Sequence, residues 1–207
     1  MNILLVRHGE TDYNAQGRMY GHAQVNLNAR GLTQARAVAK RLSAVPVARI
    51  YSSDLVRAVQ TAAEIAALKQ VSVHYDAGLR EQHVGDWEHL TIPEVIERYP
   101  QHYAAHSADP AHTPYSNGES FAMLQQRAYA CLNSIIAAHQ NGETICVVCH
   151  GGTINAIVCA VLELDIAHHR KLWIDNCSLT TVRISADQRH LIGLNDHAHL
   201  VDMGTHP

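Results

Sequence analysis

MNILLVRHGETDYN, residues 1–14, opens with a short apolar run that stops abruptly at Arg7, His8 and Gly9. Residues 143–156, ETICVVCHGGTINA, repeat the pattern: an apolar run again stops at a histidine, His150, followed by Gly151 and Gly152. Apolar runs of this length bounded by glycine read as buried strands. In an open parallel sheet, ligands bind outside the carboxyl ends of the strands. Two strands that both end on His-Gly therefore bring two imidazoles to one crevice.

The intervening chain supplies the rest of such a sheet. Residues 28–43 carry apolar side chains at Leu32, Ala35, Val38, Ala39 and Leu42, a helical period. ARIYSS (48–53) reads as a strand, DLVRAVQTAAEIAALK (54–69) as a helix capped by Ser53 or Asp54, and VSVHY (71–75) as a further strand. A long helix is expected from about Glu119 to His139, then a strand over 144–149 and a helix from Gly151. SLTTVRI (178–184) and HLIGLN (190–195) finish as strands joined by SADQR. This alternation specifies an α/β three-layer sandwich: a mostly parallel central sheet, one antiparallel strand near the C-terminus, and a helical and loop insertion over the active site. Residues 1–207 are read as one domain. Residues 78–117, rich in Pro, His and Tyr, are its substrate-covering insertion, with one helix expected at 93–99.

Composition narrows the partners. A net charge of −3 provides no basic field, so nucleic acid is not favoured, and attraction for an anion has to come from local cations. The start of the chain has no basic n-region, and no apolar run approaches the ~20 residues that span a bilayer. A cytoplasmic location with no membrane partner is expected. Four of the five cysteines (Cys131, Cys146, Cys149 and Cys159) sit in apolar helix- or strand-like segments, as buried reduced thiols do. Cys146 and Cys149 form a C-x-x-C, but strand alternation points them to opposite faces.

Three further charges gather at the same end of the sheet. Arg7 adjoins His8, and near a buried strand end it calls for an anion. Arg57 sits in the first turn of its helix, where a cation opposes the dipole yet suits an anionic ligand. Glu81 follows the strand 71–75 and can reach the same rim. The helix entered at Gly151-Gly152 presents unpaired N–H groups to the crevice, an arrangement that suits phosphate. Each residue alone is commonplace; their joint placement is not.

LLVRHGETDYN (4–14), YSSDLVRAVQTA (51–62), LREQHVGDWE (79–88), SNGESF (116–121), VVCHGGTINA (147–156) and LNDHAHL (194–200) together resemble the histidine phosphatase superfamily, the phosphoglycerate-mutase-like proteins, and its phosphatase-type branch. The pieces fall in that family's order and cover nearly the whole chain. The resemblance implies that His8 is the nucleophile, a choice over His150 that spacing does not make. It implies that Arg7, Arg57 and His150 hold the phosphoryl oxygens, that Glu81 is the proton donor, and that Asn14, Gly21 and Gly151 contact phosphate. It implies no metal and no cofactor. Residues 22–28, HAQVNLN, depart from the family pattern, with Gln24 and Asn26 where an acid and a proline are usual. Tyr20 stands where small or amide-bearing residues that touch phosphate are common.

The activity expected is hydrolysis of a small phosphorylated metabolite through a phosphohistidine. The alternatives are an isomerase of the phosphoglycerate mutase type and a binding module that holds a phospholigand without turnover. The 16 histidines raise a metal hydrolase, but His102/His106, His168/His169 and His197/His199 carry no recognisable ligand pattern. Trp87, Tyr99, Tyr103 and Tyr115 are candidates for the pocket wall. The substrate and the oligomeric state, a homodimer included, are left open.

Overall fold

The computed structural model describes residues 1–139, 142–185 and 188–203. The strands are β1 (Asn2–Arg7), β2 (Val47–Ser52), β3 (Val73–Tyr75), β4 (Thr144–Cys149), β5 (Leu179–Ile184) and β6 (Arg189–Asp196). They form a six-stranded sheet in the order β3-β2-β4-β1-β5-β6. The pairs β2–β3, β2–β4 and β1–β4 are parallel, whereas β5 runs antiparallel to both β1 and β6. One strand near the C-terminus is thus reversed, as expected. Ala186 and Asp187 of the expected turn lie outside the described residues.

Two layers cover the sheet because its central strands alternate between two apolar faces. Ile3, Leu5, Ile145, Val147 and Cys149 pack with helices α6 (Phe121–Ala137) and α7 (Gly151–Val161). Leu4, Val6, Ile50, Cys146 and Val148 pack with α2 (Ala29–Leu42) and α3 (Val56–Lys69). The buried positions of α6, Leu124, Ala128, Cys131, Leu132 and Ile135, keep the spacing that puts side chains on one helical face. Cys146 and Cys149 lie in different layers, and all five cysteines are free and buried. Burial pushes the Cys146 thiol up to about 12, which removes the thiolate that redox or metal chemistry needs.

The start of α3 departs from the sequence expectation. Its N-cap is Leu55, whose side chain makes no capping bond. The amide of Val56 is instead served by the Gln24 side chain at 2.9 Å, from the loop after α1 (Asp12–Gln16). Asp54 is committed elsewhere, to the Arg80 guanidinium with Nε 2.6 Å from Oδ1. That bond holds the Asp54 carboxyl below the usual range. A capping residue recruited from another loop leaves no local signature.

Residues 78–117 hold two helices rather than one: α4 (Ile92–Arg98), begun by a Thr91–Glu94 capping box, and α5 (Pro100–Ala108). Pro100 at the first position of α5 is a start signal as well as a stop. Trp87, Leu90 and Val95 make a small separate core with Met19, Tyr99, Tyr103 and Tyr115 against it. The long helix begins at Phe121, with Ser120 capping the amide of Met123. Among the described residues, no helix is long and apolar enough to cross a membrane.

Candidate active site

Because β1, β2 and β4 are parallel, their carboxyl ends lie together. His8, Ser53 and His150 are the residues that follow them. The His8 amide bonds the Cys149 carbonyl at 3.0 Å and the Ser53 amide bonds the Val148 carbonyl at 2.9 Å, so the three exits are tied at one level.

His8 is 2% exposed, and its Nδ1 lies 2.7 Å from the Gly9 carbonyl oxygen. A carbonyl can only accept, so Nδ1 carries the hydrogen and the lone pair resides on Nε2. Burial, then Arg57 and Arg7, pull the His8 pKa well below its ordinary value. The imidazole is therefore neutral, with its lone pair at Nε2. Asn176 Nδ2 donates to the His8 carbonyl at 2.9 Å and the Gly9 amide donates to Thr61 Oγ1 at 3.1 Å, fixing the backbone that carries the ring.

The cations are held without carboxylates. Arg57 is fully buried; its Nη2 donates to the Gly21 carbonyl at 2.8 Å, its Nη1 to the Ala23 carbonyl at 3.0 Å and its Nε to His150 Nδ1 at 3.2 Å. Gly21 has φ of 32°, and a Cβ there would come within 2.9 Å of Val84 and Glu88, so this turn takes glycine. Arg7 Nη1 donates to the Ile174 carbonyl at 2.6 Å, while its buried Nε has no partner. Among the described residues neither arginine forms an ion pair with an acid. Two partly or fully buried guanidiniums with no carboxylate at ion-pair distance make a site for an anion.

His150 is also fully buried and neutral. Nδ1 accepts from Arg57, so Nε2 carries the hydrogen and donates to Ser53 Oγ at 2.9 Å. Burial and the neighbouring Arg57 hold its pKa well below the ordinary value. The two imidazole centroids are 5.1 Å apart.

Glu81 lies where the sequence places it, but its carboxylate claims the helix end. Oε2 accepts from the Gly152 amide at 3.1 Å and Oε1 from the Gln82 amide at 2.9 Å. A Cβ on Gly152 would stand 2.4 Å from Oε1. The Gly152 N–H, expected to face phosphate, is thus given to the carboxylate. Gly151 packs beside Arg7, where a Cβ would lie 3.4 Å from Nε. Asn14 Oδ1 accepts from the Thr11 amide at 3.1 Å and Thr11 Oγ1 at 3.0 Å.

A cavity of about 250 Å³ opens over this end, lined by Arg7, Asn14, Tyr20, Gly21, Glu81 and Gly152 together with Arg18, Met19, Gln82, Val84 and Tyr115. Of the four aromatic residues expected in the wall, only Tyr115 lines it. Trp87 is 1% exposed and packs with Tyr103 and Tyr115 in the small core. Of the three histidine pairs, His102 and His106 edge onto Trp87, His169 stacks on Phe121, His197 and His199 bond the Asn195 and Cys177 carbonyls, and His168 is exposed. No group of three or more metal-ligating side chains is found among the described residues.

The profile of the histidine phosphatase superfamily (branch 1) matches residues 3–197. The chain belongs to that superfamily. It is 39% identical over 208 residues to a metal-independent phosphoserine phosphatase of Arabidopsis thaliana, covering 98% of this chain and 84% of the relative. It is 32% identical over 200 residues to phosphoserine phosphatase 1 of Hydrogenobacter thermophilus, covering 97% and 94%. Among solved structures, a mutant of the Entamoeba histolytica phosphoserine phosphatase in complex with phosphoserine superposes with a TM-score of 0.86 at 29% identity, covering 96% of this chain and 98% of that one. Within the superfamily, this chain is a phosphomonoesterase of the phosphatase kind.

Sequence reasoning missed Ser53, Thr61 and Asn176, which hold the histidines and their backbone. Ser53 and Thr61 lie within YSSDLVRAVQTA, where Arg57 drew the attention, and Asn176 reaches the site from a loop 168 residues away.

Proposed function

We propose that this phosphatase hydrolyses a small phosphomonoester through a phosphohistidine on His8, with Glu81 as general acid and base. The observation that carries the reading is the His8–Gly9 contact, which leaves a neutral Nε2 beside two arginines without acid partners. Nε2 attacks phosphorus in line, forming the P–N bond as the P–O bond to the leaving group breaks. The spreading charge meets Arg7 and Arg57, which are already oriented by backbone carbonyls. Asn14, with Oδ1 engaged by Thr11, offers its amide N–H groups. Gly21 contributes by seating Arg57. His150, still accepting from Arg57 at Nδ1, joins by turning its Nε2–H from Ser53 Oγ to a phosphoryl oxygen.

Protonated Glu81 gives its proton to the leaving alkoxide, then as carboxylate takes one from the water that cleaves the P–N bond. Arginines do the work that metal ions do in many phosphoryl transfers. The small cavity suits a compact substrate, and the phosphoserine phosphatases among the relatives make phosphoserine the first compound to try. The test is hydrolysis of phosphoserine and p-nitrophenyl phosphate in the presence of a chelator, abolished by His8→Ala. Rapid interconversion of 2- and 3-phosphoglycerate with negligible hydrolysis would overturn it in favour of an isomerase.

A further inference from the structure

Tyr20 holds a place that the mechanism above does not use. Its hydroxyl lies 3.4 Å from His8 Nε2 and has no other hydrogen-bond partner among the described residues. Nδ1 of His8 already donates to Gly9, so Nε2 can only accept, and the phenol O–H is the donor. The contact is long, as catalytic hydrogen bonds often are before substrate binds. The ring is held from two sides: the Arg57 guanidinium carbon sits 4.4 Å from its centroid, and Tyr13 meets it edge-on at 5.8 Å. Tyr20 lines the cavity, whereas His8, Arg57 and His150 do not. Tyr20 thus borders both the cavity and the His8 Nε2 nitrogen.

We propose that Tyr20 is a further catalytic residue: its hydroxyl caps the Nε2 lone pair of His8 in the resting site, then gives that hydrogen bond to a phosphoryl oxygen as attack occurs. The proton stays on the tyrosine oxygen throughout; only its acceptor changes, from nitrogen to oxygen. Nε2 is thereby kept from stray electrophiles until a group arrives that can take over the hydrogen bond. The inference rests on the phosphohistidine reading of His8.

Tyr20→Phe keeps the ring over Arg57 and removes only the hydroxyl. In rapid-quench experiments with 32P-labelled phosphoserine, the phosphohistidine is expected to form at least tenfold more slowly in this variant, with KM changed less than threefold. Loss of one donor to a developing oxyanion commonly costs about a hundredfold. Diethyl pyrocarbonate, followed by mass spectrometry of the His8 peptide, is expected to modify His8 several times faster once the cap is gone. Tyr20→Gln, which restores an N–H donor, is expected to recover part of the phosphorylation rate. Equal phosphorylation rates in wild type and Tyr20→Phe would overturn the catalytic role, and equal modification rates would overturn the cap. Absence of a phosphohistidine in the wild type would instead overturn the reading of His8, and this inference with it.

Discussion

The Gly152 amide donates to Glu81 Oε2 at 3.1 Å, and a methyl group on Gly152 would sit 2.4 Å from the other carboxylate oxygen. The first turn of α7 thus holds the proposed acid–base group by hydrogen bond and by shape together. Gly152→Ala is expected to displace Glu81 and lower kcat at least tenfold, since small misplacements of catalytic groups are costly. Its melting temperature should stay within a few degrees of wild type, because helical alanine offsets strain. Steady-state kinetics beside thermal unfolding checks this, and an unchanged kcat would separate Glu81 from the chemistry.

Glu81→Gln tests the proton transfer itself. A poor alkoxide leaving group needs the acid, whereas p-nitrophenolate departs without much help. The variant is expected to lose about 10²–10⁴ in kcat toward phosphoserine. Its phosphohistidine burst with p-nitrophenyl phosphate should be far less affected. Equal losses on both would point to a positioning role.

Much of this arrangement can be read from the chain, because it follows from strand ends. His8, Arg7 and His150 are one or no residues removed from β1 and β4, and parallel pairing alone brings them together. Arg57 and Glu81 lie farther on, five residues past β2 and six past β3, at the same end of the sheet. What the sequence conceals is contact across loops. Gln24 capping Val56, Asn176 bonding the His8 carbonyl and the Gly152 amide turning to Glu81 rather than to phosphate depend on how separate loops meet. The second helix in 78–117 was hidden because Pro100 ends one helical pattern and begins the next.

Both site histidines are neutral in the fold, with burial as the largest cause and Arg57 as the next. In the unfolded chain they titrate near 6.5. Below that value the unfolded state binds more protons than the folded one, so their contribution is complete above about pH 6.5 and is lost as pH falls. The unfolding midpoint is therefore expected to drop as pH falls from about 6.5 to 5.5, before most carboxylates titrate. Denaturant unfolding across that range checks it; a flat profile would mean ordinary imidazoles. For the same reason kcat/KM, corrected for the substrate's own titration, should not show an acid limb near 6.5 from His8.

Vanadate, which takes the geometry of a transferring phosphoryl group, is expected to raise the unfolding free energy by about 2.7 kcal/mol at a hundred times its Kd. Arg57→Met should remove most of that gain, because Arg57 is a buried guanidinium with no acid partner. Thermal shift with and without vanadate measures both. A variant stabilised as much as wild type would place the anion elsewhere.

In the proposed mechanism His8 Nε2 carries the phosphoryl group. The direct measurement is acid-quenched mixing of the protein with 32P-labelled phosphoserine or another turned-over phosphomonoester, followed by peptide mapping under alkaline conditions that preserve phosphohistidine. Near-stoichiometric label is expected on the peptide containing His8, formed fast enough to support turnover and absent in His8→Ala. Label on His150 instead, or turnover with no phosphoenzyme at all, would contradict it.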